Sequence, residues 1–275
     1  MPNRAIIKRG ISMKLSAVII TYNEGDRVEE CLKSVSFCDE IIVVDSGSSD
    51  NTLEIARKYT DKVFFHEWEG YARQKEFAAK AAQNLWVLLV DADERVSPQL
   101  REEILSLSGN DGVNGYFIKR DLYFMGRKLK YGGAGRDWVL RLFKSSDFVI
   151  RDTDVHEAIE VKGNTARLKG ALEHFSYRDL TDYFNCFNRY TSLGAVARYK
   201  KGMKAPFIQN FRVFYEFVMR YFIRGGFLDG YPGFVYAMIS SFYAWIKYAK
   251  LKELTDGLAG TEQIGKEGVK KFFTF

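Results

Sequence analysis

Residues 86–96 have the sequence WVLLVDADERV, an apolar run that ends abruptly on two carboxylates. The five residues before Asp91 have the character of a buried strand, so Asp91 and Asp93 are predicted to lie side by side at its end. Aspartate often caps a helix, but Ser97 followed by Pro98 already supplies a start signal for the next helix. A pair of carboxylates fixed at a strand end suits a hard divalent cation that keeps waters or substrate phosphates in its remaining positions. The stretch therefore predicts a metal site.

Strand and helix patterns alternate on both sides of this stretch. Strands are predicted at 15–21, 40–45, 62–65 and 86–90, with helices at 27–35, 51–59 and 71–83 between them. The alternation predicts parallel strands joined by crossover helices, as in a Rossmann-like open sheet over residues 14–108. Residues 115–161 change to short strands with glycine-rich turns, which predicts an extension as a mixed sheet. Helical patterns return at 179–199, 206–224 and 232–253.

Polar side chains follow the first two predicted strands, at the edge where open α/β sheets bind ligands. TYNEGDR follows the first strand and DSGSSDNT ends the second, which puts Tyr22, Glu24, Asp45 and Ser46 at the same edge as Asp91. Neither segment has the GxGxxG pattern of dinucleotide-binding proteins, which argues against NAD and FAD. The residues alone leave two interpretations of Asp45 open: turn and cap chemistry for the following helix, or hydrogen bonding to the edge of a nucleobase.

Three segments in this order resemble the family 2 glycosyltransferases. They are AVIITYNEGDRVEECLKSV (17–35), DEIIVVDSGSSDNT (39–52) and LLVDADERV (88–96), and the similarity extends over residues 14 to about 175. The resemblance implies an α/β fold of the GT-A type, with a mixed, mainly parallel sheet and flanking helices. It also implies an inverting transferase with a nucleotide-sugar donor and a DxD metal motif.

The resemblance implies a role for each polar residue at this sheet edge. The nucleotide of a UDP-sugar would be contacted by Tyr22, Glu24, Asp45 and Ser46. Asp91 would lie at the ribose or the metal, and Asp93 would bind the Mg²⁺ or Mn²⁺ that bridges the diphosphate. Breaking a sugar–phosphate bond leaves a diphosphate whose growing negative charge needs such a cation. Lys75 and Arg73 are candidates to assist there, with a solvated helix face as the alternative interpretation.

Inversion also needs a general base that takes the proton of the acceptor hydroxyl. The candidates lie in DVHEAIEV (154–161), because an acidic residue at this stage of the chain is the usual base in the family that the sequence resembles. Glu157 is predicted as the base with Asp154 in reserve, and His156 as a contact to the metal or the phosphate. A surface turn beside a structural histidine is the alternative interpretation of this segment.

The C-terminal part differs from the rest in charge. Residues 198–252 contain ten basic and two acidic residues, a surplus of eight, whereas the whole chain has a net charge of +6, so the remainder carries −2. Residues 206–224 have apolar and basic side chains on different helical faces, as in helices that lie on anionic lipid, with packing on the catalytic domain as the alternative. The uncharged run 231–246 is shorter than the roughly 20 residues that a spanning helix needs. A membrane surface is therefore preferred over nucleic acid as the partner.

The segment FIRGGFLDGYPGFVYAMISSFYAWIKYAKLKEL (222–254) is similar to the lipopolysaccharide core β-glucosyltransferase branch. The similarity implies transfer of glucose from UDP-glucose to an inner-core sugar, by a protein peripheral to the cytoplasmic face of the bacterial inner membrane. Three alternatives stay open: a polyprenyl-phosphate sugar synthase, a haloacid-dehalogenase-like phosphohydrolase, and a nucleotide-sugar-binding protein without activity.

The predicted domains are a disordered extension at 1–13, a GT-A catalytic domain at 14–175 and a helical, membrane-associating region at 176–275. The three cysteines match no metal-ligand spacing, which favours a reducing compartment. Homo-oligomers are left open.

Overall fold

The computed structural model describes residues 13–109, 111–153 and 156–258, with the backbone alone for Arg136, Asp152, Thr153, His156 and Glu157. The chain divides into two compact units. The first unit contains the described residues up to Arg120, with Asp137–Asp152 and Glu157–His174, and the second contains Asp121–Arg136, Thr153–His156 and the chain from Phe175 onward. Apart from Met13, the predicted N-terminal extension lies outside the described residues, and the predicted catalytic boundary at 175 stays a prediction.

The strands form one large mixed sheet and one separate pair. In chain order the strands are β1 (Leu15–Thr21), β2 (Glu40–Asp45), β3 (Val63–Phe65), β4 (Trp86–Asp91), β5 (Glu94–Val96), β6 (Val113–Phe124), β7 (Arg127–Lys128), β8 (Asp137–Lys144), β9 (Phe148–Thr153), β10 (His156–Val161) and β11 (Asn164–His174). The large sheet has the order β3-β2-β1-β4-β8-β6-β11-β5, with β7 against β6, and β9 pairs with β10. Strands β3, β2, β1 and β4 are parallel, and β8 joins β4 antiparallel.

The helices are α1 (Val28–Ser34), α2 (Thr52–Ala56), α3 (Tyr71–Lys80), α4 (Pro98–Ser106), α5 (Leu180–Lys200), α6 (Arg212–Val218) and α7 (Gly230–Thr255). The predicted α/β fold, with a mixed sheet, flanking helices and a C-terminal helical region, is confirmed. No helix among the described residues is both long and apolar enough to cross a bilayer.

The parallel strands are apolar without interruption because both faces of the sheet are covered. Ala17 and Ile19 of β1 pack in one core with Leu32 of α1, whereas Val18 packs in a second core with Ala78 of α3. Alternate residues of a strand point to opposite faces, so a continuous apolar run supplies both cores. This burial fixes the position of the strand ends, where the polar residues begin.

Helix α4 and strand β11 lie close together in the first unit. Ser97 accepts a hydrogen bond from the Leu100 N–H at 3.3 Å, so this serine caps α4 as predicted. Gly170 of β11 permits the contact, because a Cβ there would lie 2.3 Å from the Cα of Leu100. The cap leaves Asp91 and Asp93 available for other contacts.

The second unit contains α5, α6 and α7. Asp179 caps α5 by accepting from the Asp182 N–H at 2.8 Å. The single helix predicted at 206–224 is instead a 3₁₀ helix at Phe207–Phe211, then α6, then a π-helical turn at Met219–Ile223. The prediction of a single α-helix was wrong. The helical spacing of apolar residues does not distinguish 3₁₀, α and π helices when few of the side chains are buried.

Candidate active site

Two strand-end carboxylates lie at the same edge of the parallel sheet. Asp45 is in register with Thr21, and Asp91 is in register with Ile20. Because β1, β2 and β4 run in one direction, their last residues share the carboxyl edge where ligands bind in such sheets. Asp93 follows in the turn between β4 and β5.

Asp45 is buried and fixes the loop that follows β2. One carboxylate oxygen accepts from the hydroxyls of Thr21 and Ser48 at 3.0 and 2.5 Å, and the other accepts from the N–H groups of Gly47 and Ser48 at 2.7 and 2.8 Å. These four bonds use about all the acceptor sites that a carboxylate has. The geometry favours turn chemistry for Asp45, and its contact with a nucleobase stays a prediction.

The loops after β1 and β2 are held together by backbone and side-chain hydrogen bonds. Asn23 donates its N–H to the Ser48 hydroxyl and accepts from the Ser49 N–H, both at 2.8 Å. Its φ of +52° lies in the left-handed region, which asparagine tolerates better than most residues. The N–H of Glu24 donates to the Thr52 hydroxyl at 2.8 Å. The predicted nucleotide-binding segments therefore form one rigid surface.

The side chains of this surface have further partners within the first unit. Glu24 pairs with Arg27 at 2.6 Å. Ser46 accepts a hydrogen bond from the buried amide of Gln74, which also donates to the carbonyl of His66 at 2.9 Å. Gln74 thereby joins α3 to the loops after β2 and β3, a connection that no local pattern in the sequence predicts. Tyr22 lies half-buried at the start of the first loop.

Asp91 is held by two buried cations. Lys75 Nζ lies 2.9 Å from one carboxylate oxygen, and Arg141 Nη2 lies 2.5 Å from the other. Lys75 is only 1% exposed, which excludes the alternative of a solvated helix face for this residue. Burial works against the ionised form, but the positive charges of Arg141 and Lys75 outweigh it and lower the pKa of Asp91 far below its usual range. Asp91 is therefore ionised throughout the physiological range.

The same arginine extends a network of alternating charges. Arg141 also lies 3.2 Å from Glu94, which is fully buried, and Glu94 lies 3.4 Å from Arg120. Arg120 in turn pairs with Asp137 at 2.5 Å. Buried charges that alternate in sign compensate one another, and breaking such a network leaves an unpaired charge.

Asp93 lies outside this network and faces a histidine. His174 Nε2 is 3.3 Å from Asp93 Oδ2. Burial opposes ionisation of both groups, but their mutual attraction lowers the pKa of Asp93 and raises that of His174. The pair forms because β5 runs antiparallel to β11 and His174 lies opposite Glu94. Glu94 directly follows Asp93 in the chain, so His174 also lies close to Asp93. No motif in the sequence pointed to His174.

The predicted base and its neighbours are described only in part. Asp154 lies outside the described residues, and His156 and Glu157 begin strand β10 with their side chains outside the description. Their catalytic and metal roles stay predictions. Arg73 lies on the exposed face of α3 and pairs with Glu76 at 3.1 Å. Among the residues that the structure describes, no group of three or more His, Cys, Asp and Glu side chains is arranged to hold a metal ion.

Comparison with known proteins gives consistent relatives. Residues 16–175 match the family described as glycosyl transferase family 2. An uncharacterised glycosyltransferase of Rickettsia typhi is 33% identical over 259 residues, 88% of this chain and 88% of the relative. LpsC of Rhizobium meliloti, named a lipopolysaccharide core biosynthesis glycosyltransferase, is 31% identical over 248 residues, 87% of this chain and 92% of the relative.

A solved structure of residues 1–349 of TarS from S. aureus is 16% identical and covers 89% of this chain and 92% of its own, with a TM-score of 0.45. A likeness of that size carries no argument about function. The family model matches more than half of the chain, and the relatives are similar over most of their length. This chain therefore belongs to glycosyl transferase family 2.

Proposed function

We propose that this protein is an inverting, metal-dependent glycosyltransferase that moves a sugar, glucose as the first choice, from a UDP-sugar to a lipid-linked saccharide such as the lipopolysaccharide inner core. The observation that carries the proposal is the pairing of Asp93 with His174 beside the fixed Asp91, at the carboxyl edge of the sheet. A candidate metal pair there adjoins the rigid loops assigned to the nucleotide.

Asp93 and His174 suit a divalent cation in donor type and in spacing. Neighbouring ligands of an octahedral ion at about 2.1 Å lie about 3 Å apart, and the two donor atoms here lie 3.3 Å apart. Mg²⁺ is commonly held by one or two protein groups together with substrate phosphates and waters. When bound, such an ion neutralises the charge that develops on the leaving diphosphate.

We assign Asp91 to positioning, since its carboxylate is ion-paired with two buried cations. Lys75 and Arg141 keep this carboxylate ionised and hold the end of β4 in place, which orients the turn that carries Asp93. His174 is proposed as a metal-binding histidine, and the metal or phosphate contact of His156 stays a prediction.

The nucleotide of the donor is assigned to the loops after β1 and β2. Asp45 and Asn23 hold these loops in one conformation, so little ordering entropy is lost when a ligand binds. Phe65, 70% exposed at the end of β3, lies next to Gly47, where a Cβ would be 3.7 Å from its ring. An exposed ring beside a glycine offers a flat face for a base to stack on.

The donor assay tests the transferase and its metal together. UDP-glucose, UDP-galactose, UDP-N-acetylglucosamine and GDP-mannose are each incubated with the protein, with and without Mn²⁺, and release of the nucleoside diphosphate is measured. We expect Mn²⁺-dependent release from a UDP-sugar, which Asp93→Asn lowers about 100-fold or more through loss of a ligand. Asp61→Asn, at an exposed position of the same unit, is the matched control and retains full activity.

Three outcomes contradict the proposal or one of its parts, the first of them in a parallel assay with phosphomonoesters. Release of phosphate from simple phosphomonoesters would indicate the phosphohydrolase alternative. Donor binding without any release or transfer would indicate a nucleotide-sugar-binding protein. Full activity of Asp93→Asn would remove the metal role of that residue.

The general base is assigned to Glu157, at the start of β10. A general base contributes about 100- to 10,000-fold to rate, so Glu157→Gln is expected to lower transfer to a hydroxyl acceptor within that range. Glu160→Gln is the control, because Glu160 lies on the same strand, is half exposed and pairs with Arg151 at 2.9 Å. A polyprenyl phosphate acceptor already carries its nucleophilic charge, so near-normal turnover of Glu157→Gln with such an acceptor would favour the sugar synthase alternative.

The acceptor is assigned to a membrane surface, with the protein peripheral on the cytoplasmic side of the inner membrane. The name of the relative LpsC supports a lipopolysaccharide acceptor. Seven large apolar side chains between residues 207 and 223 are more than half exposed: Phe207, Ile208, Phe211, Phe214, Tyr215, Phe222 and Ile223. Exposed apolar residues grouped in this way mark interaction sites, and the basic surplus of this region favours an anionic lipid surface. We call these seven residues the exposed apolar surface.

A further inference from the structure

Three cations of the second unit converge on a single tyrosine ring. Arg198 of α5, Arg212 of α6 and Lys247 of α7 lie 5.6, 5.9 and 5.9 Å from the ring centroid of Tyr248. Lys247 also lies 5.5 Å from the ring of Tyr243. Aromatic faces attract cations, but an aromatic ring carries no net charge and does not neutralise these three cations.

One carboxylate serves this group of cations. Glu216 of α6 lies 3.3 Å from Arg212 and 3.4 Å from Arg220, which follows in the π-helical turn. Within the described part of the chain, no carboxylate pairs with Arg198 or Lys247. Four cations and one anion leave a surplus of three positive charges in a partly buried place. We call Arg198, Arg212, Arg220 and Lys247 the cation cluster.

Several donors of the cation cluster point to no acceptor. The Nε–H groups of Arg198 and Arg212 are buried and have no hydrogen-bond partner among the described residues. Arg198 uses Nη1 on the carbonyl of Gly194, at 2.8 Å. Guanidinium groups present a fork of several N–H donors, so those of the cation cluster retain donors for a ligand.

The fold makes room for these cations side by side. A Cβ on Gly194 would lie 3.0 Å from Cδ of Lys247 and 3.5 Å from Nη1 of Arg198. The glycine therefore leaves space for both side chains against the surface of α5. Burial, with the charges of Arg198 and Arg212, lowers the pKa of Lys247 to about 8. Cations held together at such a cost are typical of sites that bind an anion.

We propose that the cation cluster binds a phosphate group, carried by a membrane lipid or by a free phosphate ester. Arginine forks match the terminal oxygens of phosphate, and lysine adds a point charge, whereas a single carboxylate would use fewer of these donors. Helix α6 presents Arg212 to the cluster and carries Phe214 of the exposed apolar surface. Phe211 of the same surface ends the 3₁₀ helix that directly precedes α6. A lipid headgroup would place its phosphate and its chains in this arrangement. The inference stands on the second unit alone and does not depend on the proposed transfer reaction.

The experiment compares two double variants, each of which removes one positive charge from α5 and one from α7. Arg198→Gln/Lys247→Gln alters the cation cluster, and Lys200→Gln/Lys252→Gln removes two exposed lysines of α5 and α7. Binding of the full-length protein is measured to inorganic phosphate by calorimetry, and to phosphatidylcholine vesicles with and without phosphatidic acid by co-sedimentation. We expect the cluster variant to bind about tenfold more weakly and the control to stay within about twofold.

The two probes distinguish the source of the phosphate. Binding to inorganic phosphate without preference for phosphatidic acid assigns a free ester, and preference for phosphatidic acid vesicles assigns a lipid. Equal loss in both double variants would mean diffuse attraction and would overturn the proposal, as would wild-type protein that binds neither probe. If the cluster variant fails to fold, the wild-type protein still tests the proposal. Phosphate is then expected to shift the NMR signal of the Lys247 ammonium and to raise its pKa. A signal that phosphate does not move would overturn the proposed phosphate site.

Discussion

At the scale of single residues, Asp91 and Asp93 show how two carboxylates two positions apart acquire different chemistry. Asp91 ends β4 and is neutralised by Lys75 and Arg141, whereas Asp93 lies in the following turn and faces His174. A carboxylate with two buried cationic partners is a poor ligand, because binding a metal would leave those cations unpaired. This difference is why we propose the metal function for Asp93 and a positioning function for Asp91.

Loss of Arg141 is expected to destabilise the first unit strongly. Arg141→Gln would leave the partly buried Asp91 and the fully buried Glu94 with one cation fewer, at a cost of about 3–5 kcal/mol in the free energy of unfolding. Urea denaturation measures this loss. Arg151→Gln removes an arginine whose side chain is 65% exposed and paired only at the surface with Glu160, and it is expected to cost about 1 kcal/mol or less. Equal costs for the two variants would show that the buried network contributes nothing beyond a surface pair.

The residues of the site differ in how far the sequence predicted them. Asp91 and Asp93 were found because an apolar run ends on them, a local signal. His174 lies about 80 residues further along and meets Asp93 only through the register of β5 against β11, which no local pattern encodes. Arg141 lies between Leu140 and Leu142 in an apolar run of β8, and its partners depend on the order of strands in the sheet. Glu157 stays a prediction, since its side chain is outside the described residues.

At the scale of elements, three of the parallel strands that end at the site begin and end within one residue of the predicted limits. β1 and β2 match the predicted limits, and β4 gains only Asp91. Their limits were predictable because each apolar run stops at the sheet edge, where burial ends. The short strand β5 was missed, because three residues give too short a pattern and pair only through β11. The mixed winding of 207–223 was also missed, because the spacing of apolar residues does not distinguish 3₁₀, α and π turns.

The packing of α5, α6 and α7 makes the second unit sensitive to pH through Lys247. Its pKa is lowered to about 8 in the folded protein and is about 10.4 in the unfolded chain. Between these values the unfolded chain binds more protons at this residue, so the free energy of unfolding rises with pH from about 8 to 10. The groups around it are Arg198 of α5, Arg212 and Glu216 of α6, and Tyr243 and Tyr248 of its own helix.

The measurement compares urea unfolding of the wild-type protein and of Lys247→Gln across this range of pH. After allowance for solvent around a half-buried ammonium, we expect the wild-type protein to gain about 1–2 kcal/mol relative to the variant. Burial also raises the pKa of Tyr243, which lowers stability at higher pH, but this contribution is common to both proteins. Parallel pH profiles for the two proteins would show that Lys247 titrates as an ordinary surface lysine.

At the scale of the whole molecule, the two units carry different features. The first contains the buried charge network and the candidate metal pair, and the second contains the cation cluster and the exposed apolar surface. The charge surplus of the C-terminal segment was visible in the sequence, and so was its aromatic content. Which of its apolar residues remain exposed was not, because exposure depends on which helix faces pack together. This division of features predicts that donor chemistry and membrane attachment can be changed separately.

The double variant Phe211→Ser/Phe214→Ser tests that separation. Burying a phenylalanine side chain in an apolar phase is worth about 1.5–3 kcal/mol, so the variant is expected to lose at least about tenfold in binding to anionic vesicles and in transfer to an acceptor embedded in them. Hydrolysis of the UDP-sugar in solution is expected to stay within about twofold. Leu105→Ser, at an equally apolar and half-exposed position of α4, is the control and leaves all three measurements unchanged. Unchanged co-sedimentation of the double variant would contradict lipid contact. A wild-type dimer that the same variant converts to a monomer in sedimentation velocity would assign the exposed apolar surface to a second copy of the chain.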